Sequence, residues 1–236
     1  MSCFSGPLRV SNVNPRYFTD DSGRAIYLTG MHIHSALQDN IFLDGTAQPG
    51  MCCDYSAFLD DMVAHNHNFL RLWSRESGFG RMMQGARMTM TYPFVYVNIN
   101  EDGHLGDHPV YDLDQLNDAY FTRLRERVIQ AGERGIYVAV MLFEGWSLDT
   151  RRANGNGFPF KGHPFYKENN INGIDGNPPM ETAGTVSMSQ DSNPFCPTEH
   201  LRVHTLDVPE ITAYQKKMVK RIVETLNDLD NVMFEI

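Results

Sequence analysis

The first residue in this chain that demands a chemical explanation is an arginine inside an apolar run. Arg71 lies between Leu70 and Leu72 in Asn68-Phe69-Leu70-Arg71-Leu72-Trp73. A guanidinium on a buried strand is tolerable only beside an acid, either as a structural ion pair or as part of a site. The chain's two tryptophans, Trp73 and Trp146, both fall where a strand-like run gives way to a loop. A flat indole stacks on the apolar face of a sugar ring and keeps its N–H free for a hydroxyl, although either ring could equally be a core aromatic. Glu144 stands just after the run that ends at Phe143. From there it could hydrogen-bond a sugar hydroxyl, pair with Arg71, or simply face water. His32 and His34 are two residues apart, so in extended chain both point the same way. That spacing suits a metal pair or two hydrogen-bonding groups beside a substrate, with a satisfied core histidine as the plainer alternative.

These residues act together only if the elements carrying them converge. Arg16–Thr19, the turn cluster Asp20-Asp21-Ser22-Gly23 and the run Ala25–Thr29 predict an N-terminal hairpin whose second arm, Ile26–Thr29, continues as a first core strand. Apolar residues at helical spacing predict a helix over Tyr55–His65, with Asp54 placed to cap it. Phe69–Trp73 reads as a buried strand, and Ser74 to Tyr111 as a long irregular stretch. Asp114–Arg134 is predicted as a helix ending before Gly135, and Ile136–Phe143 as a strand buried on both faces. A second long loop runs from Glu144 to Pro209. Another helix is predicted over Glu210–Leu229 and a strand over Val232–Ile236.

Helices joined to the following strand by short turns, and strands followed by long loops, are the pattern of a barrel enzyme. The expected fold is therefore α/β: an incomplete TIM (β/α)₈-type barrel in which residues 1–24 form the hairpin segment and 25–236 the first four strands with their helices. All 236 residues would belong to one catalytic domain. A doubly wound sheet has the same alternation, but Thr29-Gly30-Met31-His32 lacks the glycine-rich turn of a dinucleotide site.

Composition narrows the partners. Hydrophobic residues make up 42% and charged residues 21% of the chain, which fits a packed globular domain rather than a disordered one. A net charge of -9 argues against nucleic acid and is compatible with a neutral carbohydrate. No run approaches the ~20 apolar residues of a membrane span, and the first residues do not read as a signal peptide. The expected location is the cytoplasm, or outside the cell after removal of a leader. Cys3, Cys52, Cys53 and Cys196 suit neither a disulfide framework nor a zinc site and are given no role. No cofactor or metal is expected.

Several runs resemble cellulase-like glycoside hydrolases of the family-five type: Asn14–Thr19 through Tyr27–Gly30, Asn66–Trp73, Gly135–Trp146, His163-Pro164-Phe165, Asn169–Gly173 and Asn231–Ile236. The resemblance covers nearly the whole chain. It implies a retaining glycosidase whose strand-four Asn-Glu supplies the acid/base and whose strand-seven glutamate is the nucleophile, held ionised by the strand-two arginine, here Arg71. Such relatives continue past the position of Ile236 with Ser-Asn-Glu, so both catalytic carboxylates are expected beyond Ile236 and the 236 residues alone are expected to be inactive. Glu235 is expected within the strand, not at its mouth. His32, His34, Arg71, Trp73, Glu144 and Trp146 are then the expected substrate-binding residues. Arg71 is expected to be largely buried against Glu144 or an anion. Uncovered sheet edges would favour a homo-oligomer. Two other functions stay open: a metal-dependent amidohydrolase using His32 and His34, and a non-catalytic carbohydrate-binding fragment.

Overall fold

A computed structural model describes residues 4–34, 36–39, 54–76, 92–97, 110–148, 159–176 and 201–236. The four cysteines, most of the two long loops and the side chain of Trp146 lie outside the described residues.

The protein is an α/β fold built on a parallel sheet. Three short strands, β1 (Arg9–Val10), β2 (Phe18–Thr19) and β3 (Ala25–Ile26), form an antiparallel N-terminal sheet. The central sheet runs β4 (Gly30–Met31), β5 (Phe69–Leu72), β8 (Tyr137–Met141) and β9 (Val232–Glu235), all parallel and in chain order. Between its strands lie α1 (Tyr55–Ala64), α2 (Asp118–Glu133) and α3 (Pro209–Leu226). A further antiparallel pair, β6 (Phe94–Tyr96) and β7 (Tyr111–Leu116), belongs to the β5–α2 connection.

Local chemistry sets the boundaries. The Asp54 carboxylate accepts the Ala57 N–H at 3.0 Å and caps α1, as the sequence predicts. Asn117 caps α2 by accepting the Ala119 N–H at 3.2 Å. This shortens the helix expected from Asp114, because Tyr111–Leu116 is a strand whose Leu116 falls by chance at helical spacing from Tyr120. Helix α2 ends at the expected glycine: Gly135 has φ 75°, and the N–H of Ile136 returns to the carbonyl of Ala131.

The first core strand is displaced from its expected position. Ile26 pairs antiparallel with Phe18 in the N-terminal sheet. The Asn68 side chain then takes the Thr29 N–H and the Tyr27 carbonyl, at 2.9 and 3.0 Å, so parallel pairing starts only at Gly30. Gly30 is required there, since a Cβ would lie 1.5 Å from the Phe69 carbonyl oxygen.

Leu70, Leu72, Val138 and Val140 are fully buried and share one core with Leu59 and Met62 of α1, Leu124 and Val128 of α2, and Ile211 and Ile222 of α3. Helix α2 touches both α1 and α3, as a single helical layer on one face of the sheet requires. At the amino end of β8, Phe4 packs against Tyr137 with ring centroids 4.5 Å apart. The N-terminal segment thus sits at the end of the sheet opposite the carboxyl ends of the strands.

Candidate functional site at the carboxyl ends of the parallel strands

Register places the polar residues. Arg71 lies opposite Ala139, Ala139 opposite Met233, and Met141 opposite Glu235. Successive side chains on a strand alternate faces, so Arg71, Ala139, Met141, Met233 and Glu235 share the face away from the helices. Arg71 and Glu235 are separated by the width of β8, and the small Ala139 between them leaves room for the arginine to reach across. Arg71 Nε donates to Glu235 Oε2 at 2.7 Å, and its Nη2 donates to Oε1, a forked pair. The hydrogen bonds from Arg71 hold the Glu235 carboxyl below the usual glutamate range, against the opposing pull of burial.

This corrects two expectations. Arg71 does not pair with Glu144, and its side chain is 38% exposed rather than largely buried. Glu235 is at the mouth after all. The expected burial of Arg71 assumed both faces of β5 covered, whereas only the helix side is packed at this position.

A cleft of about 630 Å³ opens at this end of the sheet, lined among others by Arg71, Glu235, Trp73, Phe143, Glu144 and His204. Its size is ordinary for a small-molecule site. Trp73 borders it half-buried, with the Arg71 guanidinium 6.0 Å from its ring centroid. The indole Nε1 is buried and has no hydrogen-bond partner among the described residues. His32 and His34 are exposed and lie outside the cleft lining, on Trp73, with ring centroids 5.4 and 4.6 Å from the indole. Partial desolvation of this otherwise exposed ring, with Arg75 and His32 nearby, pushes the His34 imidazole down. Their expected convergence with Arg71 and Glu144 in one cleft is therefore only partial. Trp146 opens a 3₁₀ turn, Trp146–Leu148, and the placement of its side chain is outside the described residues.

Glu144 is 4% exposed and serves a network beneath the cleft. Its carboxylate accepts the Ser147 hydroxyl and the Ser147 N–H, the latter at 3.1 and 3.2 Å, and its charge faces the buried Arg75. The loop turns Glu144 inward immediately after the strand, which takes it away from Arg71.

Sequence reasoning missed Glu76 and His204, and it met His163 only as part of the family-like run His163-Pro164-Phe165, without a role. Glu76 is buried, and its carboxylate receives the Glu144 N–H at 2.8 Å and His204 Nε2 at 2.9 Å. His163, fully buried, accepts the Phe165 N–H at Nδ1, so its proton sits on Nε2, which faces Glu76 at 3.8 Å, beyond hydrogen-bond reach. Burial pushes the Glu76 carboxyl up, but the hydrogen bonds and charge of His204, with His163 facing it at longer range, outweigh that and bring it down to about 2. Burial lowers His163. It also opposes the charge on His204, yet Glu76, helped by Glu144, leaves His204 raised. Glu76 lies five residues after Arg71, in the stretch read as irregular loop, and nothing in the sequence ties it to His204, 128 residues on.

No family model matches the sequence, and no curated protein does. A solved structure from Bacteroides vulgatus ATCC 8482, named only provisionally as a glycoside hydrolase, superimposes with a TM-score of 0.37 at 16% identity. The match covers 64% of this chain and 28% of that one, so this chain spans little more than a quarter of that protein's length. A superposition that loose supplies no argument for a shared barrel or a shared activity.

Proposed function

We propose that these residues form part of a (β/α)₈-barrel glycoside hydrolase of the cellulase-like type, and that the cleft is its sugar-binding surface. The observation that carries the reading is the Arg71–Glu235 pair beside Trp73, in a cleft at the carboxyl ends of three neighbouring parallel strands, β5, β8 and β9. Barrel enzymes build their sites at that end of the sheet. Chain-order strands with helices in one layer fit a barrel better than a doubly wound sheet, whose strand order reverses at a switch point.

A retaining mechanism needs two carboxyl groups ~5 Å apart, one protonated and one ionised. Of the described carboxylates lining the cleft, Glu144 is buried and turned onto Ser147, so among the described residues Glu235, held ionised by Arg71, faces no second carboxyl group placed as its acid partner. The reading therefore assigns Arg71, Trp73 and Glu235 to substrate binding and positioning.

Calorimetric titration with cellotetraose, xylotetraose and mannotetraose tests it. Saturable binding of at least one, weakened about tenfold or more in Trp73→Ala, is expected for a stacked sugar ring. No binding of any of the three at millimolar concentration overturns the reading.

A further inference from the structure

One group in the cleft has no part in the Arg71–Glu235 arrangement. His204 comes from the 201–208 segment, which Val203 anchors by burying its side chain completely and by accepting Gln215 Nε2 of α3 at 2.7 Å. Both contacts of the His204 ring with Glu76 run through Nε2, at 2.9 and 3.1 Å to the two carboxylate oxygens. Phe143 holds the ring edge-on, with centroids 5.6 Å apart, and the imidazole lines the cleft. A histidine gripped at one nitrogen by a buried carboxylate is fixed in tautomer and orientation, which leaves the other nitrogen for chemistry.

We propose that His204, oriented by Glu76, is a ligand-contacting residue of this cleft that donates its Nδ1–H to an oxygen of the bound molecule. The carboxylate favours the doubly protonated ring, and in that form Nδ1 is a charged donor. Under the carbohydrate reading, on which the identity of the ligand rests, the acceptor is a sugar hydroxyl or ring oxygen. Glu76 serves as a positioning residue, because it touches the ring and not the ligand.

The charged and titratable groups facing His204 are Glu76 from the loop after β5, Glu144 from the loop after β8, and His163 across Glu76. Across the cleft stands the Arg71–Glu235 pair. The pair holds Arg71 up and Glu235 down, away from neutral pH. His163 is lowered by its burial, and Glu76 at about 2 stays ionised. His204 is the one imidazole among the described cleft-lining side chains. Loss of its proton is therefore the change expected to weaken binding as pH rises from 6 to 9.

Two measurements on the 236-residue chain test this. The first follows the His204 ring carbon signal by NMR against pH, in the wild type and in Glu76→Gln. A midpoint above the ordinary histidine value of about 6.5 that falls in the variant supports the assignment, and a wild-type midpoint at or below that value overturns it. Should Glu76→Gln fail to fold, the wild-type midpoint alone decides this arm. The second titrates the same three tetrasaccharides at pH 6 and pH 9. The expected result is about tenfold weaker binding at pH 9, the worth of one charged hydrogen bond, with a weaker and pH-independent affinity in His204→Gln. Equal wild-type affinities at the two pH values, or a pH dependence that survives in His204→Gln, overturns the proposal. If no sugar binds while the raised midpoint stands, it is the carbohydrate reading that fails, and the donor is left assigned to a different oxygen acceptor.

Discussion

Glu76 and Glu144 exchange hydrogen bonds. The Glu144 N–H donates to Glu76 Oε2 at 2.8 Å, and the Glu76 N–H donates to Glu144 Oε1 at 3.4 Å. Each carboxylate thereby fastens the backbone that extends from the neighbouring strand, so the loops after β5 and β8 form one floor beneath the cleft.

Removing half of that clamp should be costly. Glu144→Ala strips the partner from the Ser147 N–H and hydroxyl and leaves the buried Arg75 without the facing carboxylate. Leaving buried donors unsatisfied typically costs ~1–3 kcal/mol, more where a charged group is involved. Urea unfolding of Glu144→Ala should show a loss of that size, and a loss below about 1 kcal/mol would mean that Arg75 is satisfied elsewhere.

The opposite is expected for Arg71→Met. The Arg71 and Glu235 side chains are 38% and 36% exposed, so water screens the pair and replaces it when it is broken. Such pairs contribute about 0–1 kcal/mol. Arg71→Met should unfold within about 1 kcal/mol of the wild type while changing affinity for any ligand of the cleft. A cost of several kcal/mol would show the arginine to be structural.

Acid should unfold the protein partly through Glu76. Its folded-state value of about 2 lies below its ordinary 4.5, so the unfolded chain takes up the proton first as pH falls. The contribution of Glu76 is therefore complete above 4.5 and is lost as pH drops toward 2. His204 is shifted upward, so its contribution is complete below the ordinary histidine value and is lost as pH rises through the folded-state value. Urea midpoints across this range should fall at both ends. Glu76→Gln should flatten the acid limb and His204→Gln the alkaline one.

Gly30→Ala should separate β4 from β5. The new methyl would lie 1.5 Å from the Phe69 carbonyl oxygen, where only backbone movement gives relief. Overpacking of this kind costs about 1–3 kcal/mol or more. Hydrogen exchange should show faster loss of protection at the Asn68 and Phe69 amides, both of which donate to the Thr29 carbonyl. Unchanged protection there would contradict the close approach.

The helices and the parallel order of the core strands were legible because each depends on a local pattern: apolar spacing in Tyr120, Leu124 and Val128, the caps at Asp54 and Gly135, and the β-branched run of β8. The features that escaped depended on distant partners. The start of the first core strand is set by Asn68, some forty residues after the strand it holds. The pairing of β6 with β7 joins a three-residue strand to one that begins only at Tyr111. Arg71 was legible as a residue needing an acid, but its choice of Glu235 over Glu144 comes from register and from the inward turn after β8. The grip of Glu76 on His204 has no counterpart in spacing at all.

The division of labour between the two faces of β5, β8 and β9 has a consequence for how this sequence tolerates length changes. Leu70, Leu72, Val138 and Val140 face the helices, while Arg71, Met141 and Glu235 border the cleft. Because the faces alternate residue by residue, one residue inserted between Leu70 and Arg71 would turn Leu72 toward the cleft. The same insertion within a loop would leave the facing of every strand residue unchanged. Descendants of this gene should therefore vary in length at the rim and hold the strands to a fixed parity, so that an odd-length indel inside a strand exchanges the helix-facing and cleft-facing residues downstream of it.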